Sequence, residues 1–392
     1  MKFLELGLSE RIAHALVGFG FSQPTEIQQK AIPSILGGRD IMASAETGSG
    51  KTAAYALPII QFRRKAQGKS PSTLVLVPTR ELALQVQSQF ERFLCGSGLR
   101  TVCVYGGTGY DRQTRLLKRG VDIIVATPGR LFDHIKRNNV DMSMISMLVL
   151  DEADRMLDMG FMPQVRQIVA RMSGRRQTLM FSATISKGVE KAASEYLINP
   201  VTIRVNTNRL EPSSIDQRIY HVDESGKTAL LMDLIKDQPD VNSVLVFART
   251  RVRASEIRKK LCASNVRAEE IHGNISQAQR ERTLARYRDG HFTVLVATDV
   301  AARGLDIPAI SHVVNYDLPD SPSDYVHRIG RTGRAGRSGI ALSFVSARQR
   351  HLVRDIEKIV GRSLMPDSDH KHEPARPARR RSRNRRPQRA RY

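Results

Sequence analysis

Ten short apolar runs, each the length of a strand, alternate with amphipathic stretches along nearly the whole chain. In the first half the runs are Thr73–Val77, Thr101–Tyr105, Asp122–Ala126, Met147–Leu150 and Thr178–Phe181. In the second they are Ser243–Phe247, Ala268–Ile271, Thr293–Val296, His312–Asn315 and Ile340–Phe344. Between them lie helix-like segments such as Glu81–Leu94, Arg130–Lys136, Val252–Ala263, Gln277–Tyr287 and Ser323–Ile329. This alternation leaves few folds open. Strands too apolar to face water need helices on both sides, which predicts an α/β fold with parallel sheets. A chain of 392 residues is too long for one ordinary core. Two lobes are expected, over residues 1–205 and 214–365. The turn-rich segment 206–213, rich in Asn, Thr, Pro and Ser, is the expected linker.

Two motifs in the first half carry chemistry. Ala45-Glu-Thr-Gly-Ser-Gly-Lys-Thr52 is a glycine-rich loop that ends in Lys-Thr at the start of a helix. Its backbone N–H groups, including those of Thr47, Gly48, Ser49 and Gly50, can cradle phosphate oxygens at a helix N-terminus. Lys51 is placed to reach the β- and γ-phosphates, and the Thr52 hydroxyl to ligate Mg2+. The strict pattern has Gly where this chain has Ala45. About a hundred residues later, Asp151-Glu-Ala-Asp154 follows the apolar run ending at Leu150. A carboxylate at the end of a buried strand suits a magnesium ion, so Asp151 is read as its ligand. Glu152 is read as the group that orients an attacking water. Together the two motifs predict ATP binding and hydrolysis.

Charge indicates what such an ATPase acts on. Of the net +23, +9 lies in residues 371–392 and +14 in the rest of the chain. A polyanion is the expected partner, most simply nucleic acid. From residue 366 on, Arg and Pro dominate and apolar residues nearly vanish, so a disordered tail is expected over 366–392. The apolar runs fall far short of the roughly 18 residues needed to span a membrane. The N-terminus lacks a signal-peptide pattern, and a cytoplasmic location is expected. Three scattered cysteines, Cys95, Cys103 and Cys262, suggest neither a disulfide framework nor a zinc site.

The chain is identified, from Phe3 to about Arg362, as resembling the DEAD-box RNA helicases of superfamily 2. Gly20-Phe-Ser-Gln-Pro-Thr25-Glu-Ile-Gln28, with Phe3 upstream, resembles the segment that reads adenine. Pro78-Thr-Arg-Glu-Leu-Ala83, Gly106-Gly107 and Thr127-Pro-Gly-Arg130 resemble the first lobe's RNA-contacting segments. Val244–Arg249, His272-Gly273, Gln279-x-x-Arg282 and Ala297-Thr298 resemble those of the second. Ser182-Ala-Thr184 resembles the segment linking hydrolysis to unwinding. Asp299-Val-Ala-Ala-Arg303-Gly-Leu-Asp306 and His327-Arg-Ile-Gly-Arg331-Thr-Gly-Arg334 resemble motifs of the lobe interface.

The resemblance implies two tandem RecA-like domains and an ATP-dependent RNA helicase that uses ATP and Mg2+. It implies that Phe3, Thr25 and Gln28 hold adenine, that Asp306 contacts ribose, and that Arg331 and Arg334 act as arginine fingers beside His327. It implies RNA contacts by Arg80, Gly107, Thr127, Arg130, Arg249, Gly273, Arg282 and Thr298. It implies coupling through Ser182, Thr184, Asp154, Asp299 and Arg303. These RNA-facing residues are Arg, Gly and Thr, types suited to phosphates and close backbone approach rather than base readout. Aromatics are only 5% of the chain and Trp is absent, which argues against a stacking platform. Little sequence specificity is expected. The expected activity is RNA-stimulated ATP hydrolysis coupled to lobe closure and local, non-processive duplex unwinding. Ribosome assembly and RNA decay are both open, and the alternative is an ATP-gated RNA clamp without unwinding. A monomer is expected, with the basic tail contacting RNA or a protein or ribosomal partner.

Overall fold

The computed structural model describes residues 2–45, 48–62, 70–94, 97–172, 176–205, 215–237, 241–302, 310–333 and 338–366. The expected linker 206–213, the tail beyond 366, and Thr47, Arg303, Asp306 and Arg334 lie outside the described residues, the last three of them among the expected interface groups.

Two seven-stranded sheets form the frame, and every strand pair in both is parallel. The first contains β1 (Ile41–Ser44), β2 (Thr73–Leu76), β3 (Thr101–Val104), β4 (Ile123–Ala126), β5 (Met147–Leu150), β6 (Gln177–Ser182) and β7 (Val201–Arg204). The second contains β8 (Ile215–His221), β9 (Val244–Phe247), β10 (Ala268–Ile271), β11 (Val294–Ala297), β12 (His312–Asn315), β13 (Gly339–Val345) and β14 (Met365–Pro366). The spatial orders are β3-β4-β2-β5-β6-β1-β7 and β10-β11-β9-β12-β13-β8-β14. Adding seven to each strand number of the first gives the second, so the two lobes repeat one topology.

All ten expected strands are present. β1, β7, β8 and β14 were not expected. β7 and β14 close the sheets at one edge, where Val-Thr-Ile-Arg and Met-Pro carry little apolar signal. β8 reads Ile-Asp-Gln-Arg-Ile-Tyr-His, with polar residues at several positions. Central strands explain why the rest were legible. β2, β4, β5, β9, β11 and β12 are buried along their whole length. Period-two alternation sends Val75, Ile123, Val125 and Val149 to one face and Leu74, Ile124, Leu148 and Leu150 to the other. Each such side chain removed from water contributes about 1.5–3 kcal/mol before entropy is counted.

The repeat extends into a loop. After β1 the helix Lys51–Phe62 begins behind Gly50, and after β8 the helix Lys227–Asp237 begins behind Gly226. Gly226-Lys227-Thr228 therefore occupies the place of Gly50-Lys51-Thr52. Likewise Asp317, just beyond β12, occupies the place of Asp151 beyond β5. In the second lobe these groups are bound to one another. Lys227 is fully buried, with Nζ 3.2 Å from Asp317 Oδ1 and 2.7 Å from Glu224 Oε1.

Candidate active site and nucleic-acid interface

Parallel topology puts the loops that follow the strands at one edge of each sheet, where α/β proteins build their sites. Along the first sheet that edge is divided. Lys51 and Asp151 follow β1 and β5, and Ser182 ends β6. The loops after β3, β4 and β2 hold Gly107, Thr127 and Arg80. The second sheet repeats the second group, with Gly273, Thr298 and Arg249 after β10, β11 and β9. The expected phosphate-binding and RNA-contacting residues thus separate onto two halves of each edge.

The phosphate loop is backed by the expected adenine-reading segment. Thr25 caps the helix Glu26–Leu36 in a capping box with Gln28, whose Oε1 accepts from Thr25 N at 3.0 Å. Gln28 Nε2 donates to Gly50 O at 3.2 Å. Gly50 has φ +95°, and a Cβ there would lie 2.4 Å from Gln28 Nε2. Gly50→Ala is therefore expected to strain the loop by about 1–3 kcal/mol and to push Gln28 from its place. Titration with ADP should show affinity reduced by at least about tenfold, the equivalent of 1.4 kcal/mol. Unchanged affinity would disconnect Gln28 and Gly50 from nucleotide binding. Phe3, expected to hold adenine, is only 4% exposed and belongs to the first lobe's core.

Lys51 is buried and donates from Nζ to Ala45 O at 2.8 Å. Tyr55, one turn along the same helix, donates to Asp151 Oδ2 at 2.9 Å and is hydrogen-bonded to Thr52 as well. Nothing in the sequence singled out Tyr55, which reads as one more apolar helix position. Its role is to hold the Thr52 hydroxyl and the Asp151 carboxylate together. Burial pushes the Asp151 carboxyl up to about 6, with Lys51 opposing and Glu152 adding to the rise. A buried carboxylate and a neighbouring hydroxyl are hard oxygen donors, and a cation would relieve the cost of charging Asp151. The pair therefore fits Mg2+, which takes few protein ligands when phosphates supply the others.

Glu152 adopts a left-handed conformation, φ 52° and ψ 52°, at the start of the short helix Ala153–Asp158. Burial alone would raise its carboxyl. Arg155 foremost, with Lys51 and Arg331, instead brings it down to about 2. Asp154 joins this strand end to the next. Its Oδ2 accepts from Thr184 N at 2.9 Å, Thr184 Oγ1 at 3.0 Å and Ala183 N at 3.2 Å. Ser182 Oγ accepts from Asp154 N at 3.3 Å and donates to Thr184 O at 2.7 Å. The expected coupling residues Ser182, Thr184 and Asp154 thus form one hydrogen-bonded unit.

Charges of this unit reach the second lobe. His327, on the helix Pro322–Ile329, is carried down to about 4 by burial first and by Arg155 next, with Asp154 and Glu152 opposing. Arg331 is 6% exposed, and its charge reaches Glu152. Asp299 binds the Arg328 guanidinium at 2.6 and 2.7 Å in a two-pronged pair. Arg328 also donates to Asn315 Oδ1 and Asp317 O. The sequence marked Asp299 but not Arg328, the hub that ties the ends of β11 and β12 to the helix carrying His327.

At the other half of the edge, Gly107 has φ +82°, and a Cβ there would overlap Arg80 Nη1. Arg130 donates to Thr108 O at 3.0 Å and lies 4.0 Å over the Tyr110 ring. Thr127 stands at the N-cap of the helix Pro128–Lys136. In the second lobe Arg249 donates to Leu318 O and pairs with Asp320 at 3.1 Å. Arg282 is exposed on the helix Gln277–Arg288. Two residues earlier, Arg280 is buried and crosses between the lobes, 2.8 Å from Glu81 Oε1, while also donating to Ala301 O at 3.1 Å. Neither Arg280 nor Glu81 was singled out by sequence. Their ion pair joins the halves of the two sheets that carry the expected RNA-contacting residues. No helix among the described residues is long and apolar enough to cross a membrane.

Known proteins share this sequence pattern and this fold. The DEAD/DEAH box helicase family matches residues 25–192, and the helicase conserved C-terminal domain matches 226–336. The RNA helicase CrhR of Synechocystis sp. is 44% identical over 91% of this chain and 72% of its own length. The ATP-dependent RNA helicase CshA of Limosilactobacillus reuteri is 40% identical over 93% of this chain and 73% of its own. S. cerevisiae Dbp5 bound to RNA and ADP BeF3 has a TM-score of 0.85 at 31% identity, covering 94% of this chain and 96% of that one. A DEAD box protein from Methanococcus jannaschii is more similar in sequence, at 36%. It covers 93% of this chain and 99% of its own but has a TM-score of only 0.53.

Proposed function

The chain belongs to the DEAD-box family of ATP-dependent RNA helicases, and from that premise we propose a mechanism in which RNA bound across both lobes closes them on ATP. The enzyme is an RNA-stimulated ATPase that binds RNA. Lys51 holds the β- and γ-phosphates. Thr25 and Gln28 read adenine, with Phe3 at its edge and Asp306 on the ribose. Thr52 and Asp151 hold Mg2+, which neutralises phosphate charge when bound. Glu152 orients the attacking water, while Arg331 and Arg334 stabilise the charge that develops on the γ-phosphate. Arg80, Gly107, Thr127, Arg130, Arg249, Gly273, Arg282 and Thr298 take the RNA backbone.

The observation that carries this reading is that the lobes meet at the site: Arg280 of the second pairs with Glu81 of the first at 2.8 Å, and the Arg331 charge reaches Glu152. The site is whole only when the lobes are together. Support comes from the TM-score of 0.85 to an RNA- and nucleotide-bound relative, against 0.53 to a protein of higher identity and similar coverage. Closure bends one strand and separates a short duplex locally, with no need for processive tracking. By linkage, ATP raises RNA affinity by the factor that RNA raises ATP affinity.

Steady-state ATPase activity with single-stranded RNA, with matched DNA and with neither tests the proposal. Strong stimulation by RNA alone is the expected result, and equal activity in all three would overturn closure by RNA. Stimulation without strand displacement would make the protein an ATP-gated clamp. The basic tail is proposed as a tethered RNA anchor. Removing residues 375–392 should weaken RNA binding and make its salt dependence shallower by about 0.7 for each phosphate that is no longer neutralised, with maximal ATPase kept. An unchanged slope would rule the anchor out.

A further inference from the structure

Arg155 is in contact with the carboxylate on which hydrolysis depends, yet no part of the proposed mechanism uses it. Its side chain is 3% exposed, and Nη1 pairs with Glu152 Oε2 across one turn of the helix Ala153–Asp158. Its backbone N donates to Asp154 Oδ1 and Glu152 O, each at 3.0 Å, so the turn that carries it is the one anchored on Thr184. The other guanidinium nitrogens, Nε and Nη2, are buried without a hydrogen-bond partner among the described residues. Buried donors left unpaired cost stability, and a buried ion pair seldom repays its desolvation. Arg155 is therefore a poor device for holding the fold together. His327 of the second lobe feels the Arg155 charge more than any other.

We propose that Arg155 is a positioning residue for hydrolysis, fixing Glu152 Oε2 so that Oε1 is the oxygen presented to the attacking water. This rests on the reading of Glu152 as the water-orienting group. The left-handed backbone of Glu152 sets the start of its side chain, and Arg155 sets the end. A carboxylate held at both ends loses little freedom when it engages water, which is where orientation gains rate. The Arg155 charge also reaches His327 of the second lobe, so the two lobes and the aim of Glu152 share one group.

The test is a double-mutant cycle on the full chain with Arg155→Met, Glu152→Gln and both together. RNA-stimulated kcat, KM for ATP, the Kd of a non-hydrolysable ATP analogue and Tm are measured for each. Arg155→Met is expected to lower kcat on the order of 10–100-fold, with analogue affinity kept. In the Glu152→Gln background the same substitution should cost nothing further, because groups that act as a unit are not additive. Arg155→Lys, which keeps the charge, should recover part of kcat and serves if the Met variant does not fold. A kcat within twofold of the parent, or an equal loss in both backgrounds, overturns the proposal. A Glu152→Gln protein of normal turnover would instead remove the reading on which it rests, and the two failures are told apart by the single variants.

Discussion

Glu152→Gln is expected to lower RNA-stimulated ATP turnover by about 10²–10⁴-fold, the usual contribution of a positioned base, while ATP and RNA still bind together. The substitution keeps the size of the side chain and an oxygen for Arg155, and removes only the charge. That charge is well secured in the native site. Arg155, Lys51 and Arg331 overcome the effect of burial and hold the carboxyl near 2, so Glu152 is ionised at any pH at which the enzyme works. The variant should therefore accumulate as a closed complex with RNA and unhydrolysed ATP, seen as prolonged RNA retention in the presence of ATP. Turnover at the parent rate would take Glu152 out of the chemistry.

Arg331→Ala should be at least as damaging, by about 10³–10⁵-fold in turnover if it acts as an arginine finger. The residue comes from the second lobe, is 6% exposed, and lies within electrostatic reach of Glu152. Its loss should leave nucleotide affinity in the absence of RNA nearly unchanged, because the phosphate loop belongs to the first lobe. It should abolish the gain in turnover that RNA gives. The pair of measurements, ADP affinity without RNA and kcat with it, separates this from general damage. A variant that RNA still stimulates fully would show that closure does not act through Arg331.

What the sequence disclosed follows from how local each feature is. Lys51, Thr52, Asp151 and Glu152 sit in runs whose spacing is fixed by a strand, a turn and a helix start, so a linear reading finds them. Ser182, Asp154 and Thr184 were also found, although the hydrogen bonds joining them span about thirty residues. Tyr55, Arg328, Glu81 and Arg155 were not. Tyr55, Glu81 and Arg328 have partners distant in sequence that only the fold brings up, and the Arg155 partner, though three residues away, shows itself only in the buried side-chain pairing. Arg280 shows the ambiguity well. Gln277 and Gln279 each stand three residues before an arginine, and only the fold tells which of Arg280 and Arg282 turns toward the first lobe. Edge strands were missed for a related reason. β7 has one face or edge in water, and its sequence need not be apolar throughout.

The repeated Gly-Lys-Thr has a bearing on stoichiometry. Both lobes carry it at the same point of the same topology, yet the two lysines differ in their surroundings. Lys227 is already neutralised by Glu224 and Asp317, with Arg253 on the far side of Glu224. An incoming phosphate would have to displace carboxylates that are covalently part of the chain and always present. Lys51 donates to a backbone carbonyl of its own loop, which a phosphate can replace, with the Asp151 and Glu152 charges nearby. One chain should therefore take up one nucleotide, and the second lobe is excluded from that role by a built-in counter-ion rather than by loss of the loop. Asp317 Oδ2 also accepts from the backbone N of Arg249 at 3.0 Å. The counter-ion of Lys227 thus also fixes the loop that carries Arg249, one of the residues proposed to take RNA.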